Sequence, residues 1–209
     1  MKLKNLAVAT AAAALLATGA SAASLSLIGG GYASQTISNY DLAPNLNGQT
    51  VTYLTGAAKN TNNGLYLDGA AKITYTFIGS EAGNLNYSAS AANSWSIFET
   101  DAIGTTRMST QLSSGLLKFS FETDEPVVNQ GEIRNHGVAV PNSPDFAIGY
   151  YTDGTSWYAM FDDLAQNDRD FDDFVLRIDI APVPIPAAGF LLLGGLGAMG
   201  AVARRRKKS

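Results

Sequence analysis

From residue 24 to residue 180, short segments that alternate apolar and polar side chains follow one another, each closed by Gly, Asn, Ser or Asp, and no stretch keeps a 3.6-residue apolar period. That pattern restricts the chain to strands joined by turns. The clearest segment is Lys72–Ile78, where Ile73, Tyr75 and Phe77 fall on one face and Thr74 and Thr76 on the other, as in a strand with one buried face. Similar runs are expected at 24–28, 50–54, 64–67, 85–88, 94–99, 115–122, 145–151, 156–161 and 174–180. The segment 124–144 holds three of the seven prolines and the single His136, and reads as the longest loop. Asp153-Gly154 between two aromatic-rich strands predicts a type I′ hairpin. The expected fold is all-β, an antiparallel β-sandwich of jelly-roll type.

Composition narrows the chemistry. The absence of Cys excludes disulfides, Cys-zinc sites and thiol catalysis, and one His excludes a multi-His metal site. Seven of the 14 basic residues lie in the two ends, leaving seven against all 18 acidic residues, so the middle carries a net charge of −11. Such a body repels phosphate backbones, which argues against nucleic acid and favours cations as partners.

The ends divide the chain into a leader (1–22), a β domain (23–180) and a tail (181–209). Lys2 and Lys4, the apolar run Leu6–Leu16 and the small residues Ala20, Ser21 and Ala22 have the order of a secretory signal peptide, with cleavage expected after Ala22 so that Ala23 becomes the first residue. Signal peptidase is then a partner and the body is exported. The segment 187–203 has no charge, and as a helix it would extend roughly 25 Å, near the lower limit of a membrane span. Arg204, Arg205, Arg206, Lys207 and Lys208 follow and would stay on the cytoplasmic side. In the preceding segment Ala181–Pro186, proline at every second position forbids helix and favours an extended, exposed linker.

The motif Val183-Pro184-Ile185-Pro186-Ala187, followed by the apolar segment and the basic cluster, resembles the PEP-CTERM class of bacterial sorting signals in its VPLPA variant. The resemblance covers about the last 27 residues and implies recognition by an exosortase, transient anchoring in the inner membrane, removal of the tail and delivery to the surface of a Gram-negative bacterium. Exopolysaccharide is a partner it brings into view. Ile185 stands where that variant usually has Leu.

Six Asp occur between residues 162 and 173. Packed carboxylates repel one another, so they are either splayed into solvent or held by a cation, and hard oxygen ligands suit Ca²⁺. Asp168, Asp170 and Asp172 imitate the start of an EF-hand loop with Asp179 at its twelfth position, but Asp173 stands where that loop needs Gly, which excludes an EF-hand. The segment 161–178 resembles the acidic ending of uncharacterised β domains in PEP-CTERM and other bacterial surface proteins, and Gly79-Ser80-Glu81-Ala82-Gly83 resembles a stretch that accompanies it. That resemblance brings no activity, but it implies calcium at Asp168, Asp170, Asp172 and Asp173, with Asp162 and Asp163 across the loop. On the opposing reading, Phe171, Phe174, Leu176 and Ile178 are the core side of a last strand, and the Asp residues cap its turn and pair with Arg169 and Arg177.

No catalytic motif is recognisable. Glu99 with Asp101, and Glu122 with Asp124 and Glu125, offer the paired carboxylates of a glycosidase. Tyr150, Tyr151, Trp157, Tyr158 and Phe161 could stack on sugar rings, although alternation sends about half of them to the core. The expectation is a non-enzymatic, exported interaction domain, with a carbohydrate-binding or carbohydrate-active domain as the alternative.

Overall fold

The computed structural model describes residues 22–37, 42, 44–55, 62–81, 85–123, 131–135, 146–163, 169–183, 194, 195 and 197. Ala23–Pro182 forms one compact unit. Of the second unit, Met1–Ala22 with Val183–Ser209, the described residues include Gly194, Gly195 and Gly197, which are helical. Among the described residues, no helix is long and apolar enough to cross a membrane, and most of 187–203 lies outside them.

Within the body the described residues form 14 strands. They are β1 (Leu25–Ile28), β2 (Tyr32–Thr36), β3 (Thr50–Leu54), β4 (Gly64–Leu67), β5 (Ala71–Gly79), β6 (Asn86–Ser90), β7 (Trp95–Phe98), β8 (Thr106–Gln111), β9 (Gly115–Leu116), β10 (Ser120–Thr123), β11 (Gly131–Arg134), β12 (Ala147–Thr152), β13 (Trp157–Asp162) and β14 (Phe174–Pro182). All pairings are antiparallel. A seven-stranded sheet runs β2-β3-β12-β13-β14-β5-β8, a four-stranded sheet β11-β10-β6-β7 and a three-stranded sheet β1-β4-β9. The result is the expected all-β antiparallel sandwich, with more strands than the eight of a minimal jelly roll.

The main core lies between the seven-stranded sheet and the other two. Ile73, Tyr75 and Phe77 of β5 and Phe174, Leu176 and Ile178 of β14 meet Leu65 and Leu67 of the three-stranded sheet and Ile97 and Phe121 of the four-stranded one. Phe121 stacks on Phe161 at 5.3 Å and Phe77 on Phe174 at 4.6 Å. Each fully buried aromatic contributes about 1.5–3 kcal/mol relative to exposure. The other face of β13 and β14 is also covered: Tyr158, Met160 and Val175 pack with Ile37, Leu46, Val51 and Phe171 in a second cluster. Burial on both faces explains why the β13 segment reads as an unbroken apolar run.

Asn135 joins the sheets. Its Oδ1 accepts from the Leu65 N–H and the Tyr150 hydroxyl, and its Nδ2 donates to the Leu65 and Leu117 carbonyls, all at 2.9 Å. Gly64 (φ +142°) lies so close beneath that a Cβ there would collide with the Asn135 carbonyl.

Several expectations are corrected. The span 124–144 is not one loop, because β11 lies inside it; His136 lies outside the described residues. The 115–122 run splits into β9 and β10. The β12–β13 hairpin is present, but four residues, 153–156, separate Thr152 from its partner Trp157, and only Gly154 has positive φ (+88°). The Asp153 carboxylate accepts from the N–H groups of Thr155 (2.8 Å) and Ser156 (2.7 Å), so a side-chain turn replaces the type I′ geometry. β14 continues beyond Ile180 and takes exposed Ala181 and Pro182 into pairing with Lys72 and Ala71.

Candidate functional site

β13 delivers Asp162 and Asp163 at one end of the seven-stranded sheet, and the segment leading into β14 returns Asp170, Asp172 and Asp173 to the same end. The return depends on two residues in left-handed conformation, Arg169 (φ 53°) and Phe171 (φ 64°). Phe171 is held there by burial. Its ring lies 5.2 Å from that of Tyr53, and a Cβ on Gly149 would sit 2.7 Å from its Cδ1, so Gly149 provides the space for the ring. Phe171 therefore belongs to the second cluster and not, as expected, to the main core with Phe174. With Phe171 inward, the flanking Asp170 and Asp172 turn toward the acidic group. Gln35 Nε2 donates to the Arg169 carbonyl at 2.5 Å and fixes the start of the segment.

The loop after β5 meets this segment. The Glu81 N–H donates to the Asp172 carbonyl (3.1 Å) and the Ser80 hydroxyl to the Asp173 carbonyl (2.5 Å). From the four-stranded sheet, Asn86 Nδ2 donates to Asp163 Oδ2 at 3.2 Å and to the Asp173 carbonyl at 3.5 Å. The Asp163 N–H donates to Asp173 Oδ2 at 2.6 Å. Asp162, Asp163 and Asp172 are all buried, at 1%, 3% and 7% exposure.

These carboxyls are crowded. Burial pushes Asp172 up to about 9, and the adjoining carboxyls of Asp170 and Glu81 push in the same direction. Asp173 is pushed up to about 8, mainly by burial and then by the charges of Asp163, Asp162 and Asp170, against the lowering effect of the Asp163 N–H. The expected arginine partners are engaged elsewhere: Arg177 Nε binds Asp179 Oδ2 at 3.0 Å, and Arg169 lies 5.2 Å above the Tyr53 ring. Among the described residues, the ion pairs involve Asp101, Glu132 and Asp179, and none involves Asp170, Asp172 or Asp173.

Five of the six Asp expected as metal ligands, Asp162, Asp163, Asp170, Asp172 and Asp173, thus come to one end of the sandwich; Asp168 lies outside the described residues. Among the described residues, no three His, Cys, Asp or Glu side chains already converge as a bound ion requires. Glu81 and Asn86 are the members that the acidic run did not identify. Asp179, the twelfth position of the imitated EF-hand, lies in β14 and accepts from the Ser156 hydroxyl at 2.5 Å, away from the group.

The other expected sites are distributed differently. Glu99 accepts from the Asn86 N–H (3.1 Å), while Asp101 accepts from the Phe98 N–H (3.0 Å) and faces Arg107. Glu122 accepts from the hydroxyls of Tyr87 and Ser120, and Asp124 and Glu125 lie outside the described residues. Of the aromatic hairpin, Tyr150, Tyr158 and Phe161 are buried and Tyr151 and Trp157 half-buried. At the leader junction, Ala22 is exposed, Ala23 packs against the core, and Asp68 accepts from the Ser24 N–H and hydroxyl at 2.6 and 2.7 Å; Ala20 lies outside the described residues. Val183 follows β14 directly, and Pro184, Ile185, Pro186 and Ala187 lie outside the described residues.

The fold and the site define an antiparallel β-sandwich with a carboxylate-lined end where two sheets meet. No known protein family, curated protein or solved structure matches the chain.

Proposed function

We propose that the chain is an exported, exosortase-sorted protein of the bacterial surface or extracellular matrix, and that its sandwich is a non-enzymatic interaction domain stabilised by Ca²⁺ at the 162–173 end. The observation that carries the calcium part is the crowding of Asp170, Asp172 and Asp173, with Asp172 and Asp173 pushed above the ordinary carboxyl range and no basic side chain paired to any of the three among the described residues. A divalent cation removes that repulsion, and Asp and amide oxygens are the ligands that Ca²⁺ takes. Asn86 supports the fit: it is 1% exposed, its amide reaches into the group, and its Oδ1 has no hydrogen-bond partner.

Export and sorting rest on the leader and on the Val183–Ala187 motif with its basic cluster. The non-enzymatic reading is supported by Glu99 and Asp101, whose carboxylates are engaged with backbone N–H groups.

The test is a melting curve of the purified chain in chelator and again in millimolar calcium. An upward shift of the midpoint supports the proposal, and an unchanged midpoint removes calcium from it. Intact-mass measurement of surface-released protein tests sorting separately: a mass that retains Arg204–Ser209 contradicts tail processing.

A further inference from the structure

β8 is an edge of the seven-stranded sheet and β9 an edge of the three-stranded one, and the turn 112–114 carries the chain from one to the other. Beside that turn lies a cavity of about 620 Å³, within the roughly 300–1,000 Å³ of small-molecule sites. Asn93, from the turn between β6 and β7, and Lys118, between β9 and β10, also line it, so all three sheets contribute. Gln111 Nε2 donates to the Ser113 and Gly115 carbonyls at 3.0 and 3.1 Å, which holds the turn closed and bounds the space at the end of β8.

The lining is polar and nearly neutral. Asn62, Asn93, Ser109, Thr110 and Gln111, with the two serines of the turn, supply amides and hydroxyls, which both donate and accept. Apolar surface comes from Tyr75, Leu112 and Leu116. Tyr75 is buried, with its ring 4.7 Å from that of Trp95 and its hydroxyl hydrogen-bonded to Ser109, whereas Leu112 is 75% exposed. Among the described residues no Asp or Glu lines the cavity; its one charge is Lys118, which is exposed and takes part in none of the ion pairs.

That chemistry narrows the ligand. An apolar molecule would leave the amides and hydroxyls without partners, and a cationic one would find no carboxylate. Phosphate and sulfate only accept hydrogen bonds and gather several cations or N–H donors, while this cavity holds a single Lys. Sugar hydroxyls both donate and accept, as this lining does, and a sugar ring also offers C–H faces to apolar side chains such as Leu112. In a body of net charge −11, a free cation beside a surface without carboxylates favours a ligand that brings its own negative charge.

We infer that the cavity beside the β8–β9 turn binds an acidic saccharide, with its hydroxyls on the amide and hydroxyl lining and its carboxylate at Lys118. The inference rests on the reading of the sandwich as an interaction domain, adds to it a site and a ligand class, and requires no calcium.

The experiment titrates the full chain, in mild detergent and chelator, with trimers of galacturonate, glucuronate and mannuronate, and with the galactose, glucose and mannose trimers as neutral counterparts. At least one uronate should bind saturably and about 5-fold more tightly than its neutral counterpart, the contribution of an exposed charge pair. Lys118→Gln should remove that preference. Asn93→Ala should weaken acidic and neutral sugars alike, by about 2- to 10-fold. Ser114→Trp, at an exposed turn position, fills the space and should abolish binding with Tm unchanged; Asn62→Trp, also at an exposed position, serves if that variant does not fold. Equal binding of uronates and neutral sugars, or undiminished binding by the Trp variant, overturns the assignment. If no uronate binds while the chain is still retained on the surface of cells that export it, the saccharide site alone fails. If the chain is not retained either, the interaction-domain reading fails with it.

Discussion

Replacing Asp170 and Asp172 together by Asn removes two charges from the acidic end while leaving side-chain size unchanged. In the metal-free protein the Asp172 carboxyl faces those of Asp170 and Glu81, and Asp173 feels Asp170 as well. A like-charge pair at about 4 Å opposes folding by roughly 1–4 kcal/mol depending on screening. Taking the lower figure for a site at the edge of the sandwich, the double variant should be more stable than the wild type in chelator by about 1–2 kcal/mol. The cost is lifted whether it takes the form of repulsion or of forced protonation. In calcium the order reverses. At about 100 times its dissociation constant, calcium adds about 2.7 kcal/mol to the wild type, which for a body of this size is a rise of roughly 5–11 °C in Tm, and the variant should lose most of it. Thermal melts of both proteins in chelator and in millimolar calcium give the four midpoints. A variant that is less stable than the wild type in chelator, or that keeps the full calcium shift, refutes the reasoning.

In chelator, stability should fall as pH rises from about 4 to about 9. Asp172 and Asp173 have folded-state values near 9 and 8, above the ordinary carboxyl value, so their contribution is complete below that ordinary value and is lost as pH rises through the folded ones. Calcium should flatten or invert the trend because it binds the deprotonated forms, as melts across that range would show. Gly149→Ala sets a methyl 2.7 Å from Phe171 Cδ1 and should cost about 1–3 kcal/mol in chemical denaturation; because Phe171 holds the acidic segment, calcium affinity should fall too. Asn135→Ala strands four hydrogen-bond partners and should cost at least about 3 kcal/mol by the same measurement, with a smaller loss contradicting its role as the joint between sheets. N-terminal sequencing of exported protein should begin at Ala23, and an intact Met1 leader would sink the cleavage assignment.

Strands with one or both faces in the core were legible in the sequence, because burial imposes the alternation of β5 or the continuous apolar run of β13. β2 and β8 were not read. They are the two edges of the seven-stranded sheet, and their sequences, YASQT and TRMSTQ, carry no apolar alternation because neither face is deeply buried. β11 is likewise the edge of its sheet and short. Phe171 was placed in the wrong cluster because extending the period of β14 backward assumes strand geometry, and its left-handed backbone breaks that period before β14 begins. The acidic run identified the Asp side of the site from density alone. The partners Glu81 and Asn86 come from the β5–β6 region, with Asn86 separated by 77 positions from Asp163, and no local pattern encodes such a pairing. The Gly79–Gly83 stretch was the one signal that pointed toward that loop.

The most direct test of the central claim is a calorimetric titration of the metal-stripped chain with calcium chloride. The account predicts saturable binding with proton release that varies with buffer ionisation enthalpy, because carboxyls held above their ordinary range must lose protons to take the ion. A titration with no heat beyond dilution, together with an unchanged Tm, would contradict it and leave the 162–173 segment as an acidic sheet end without a metal.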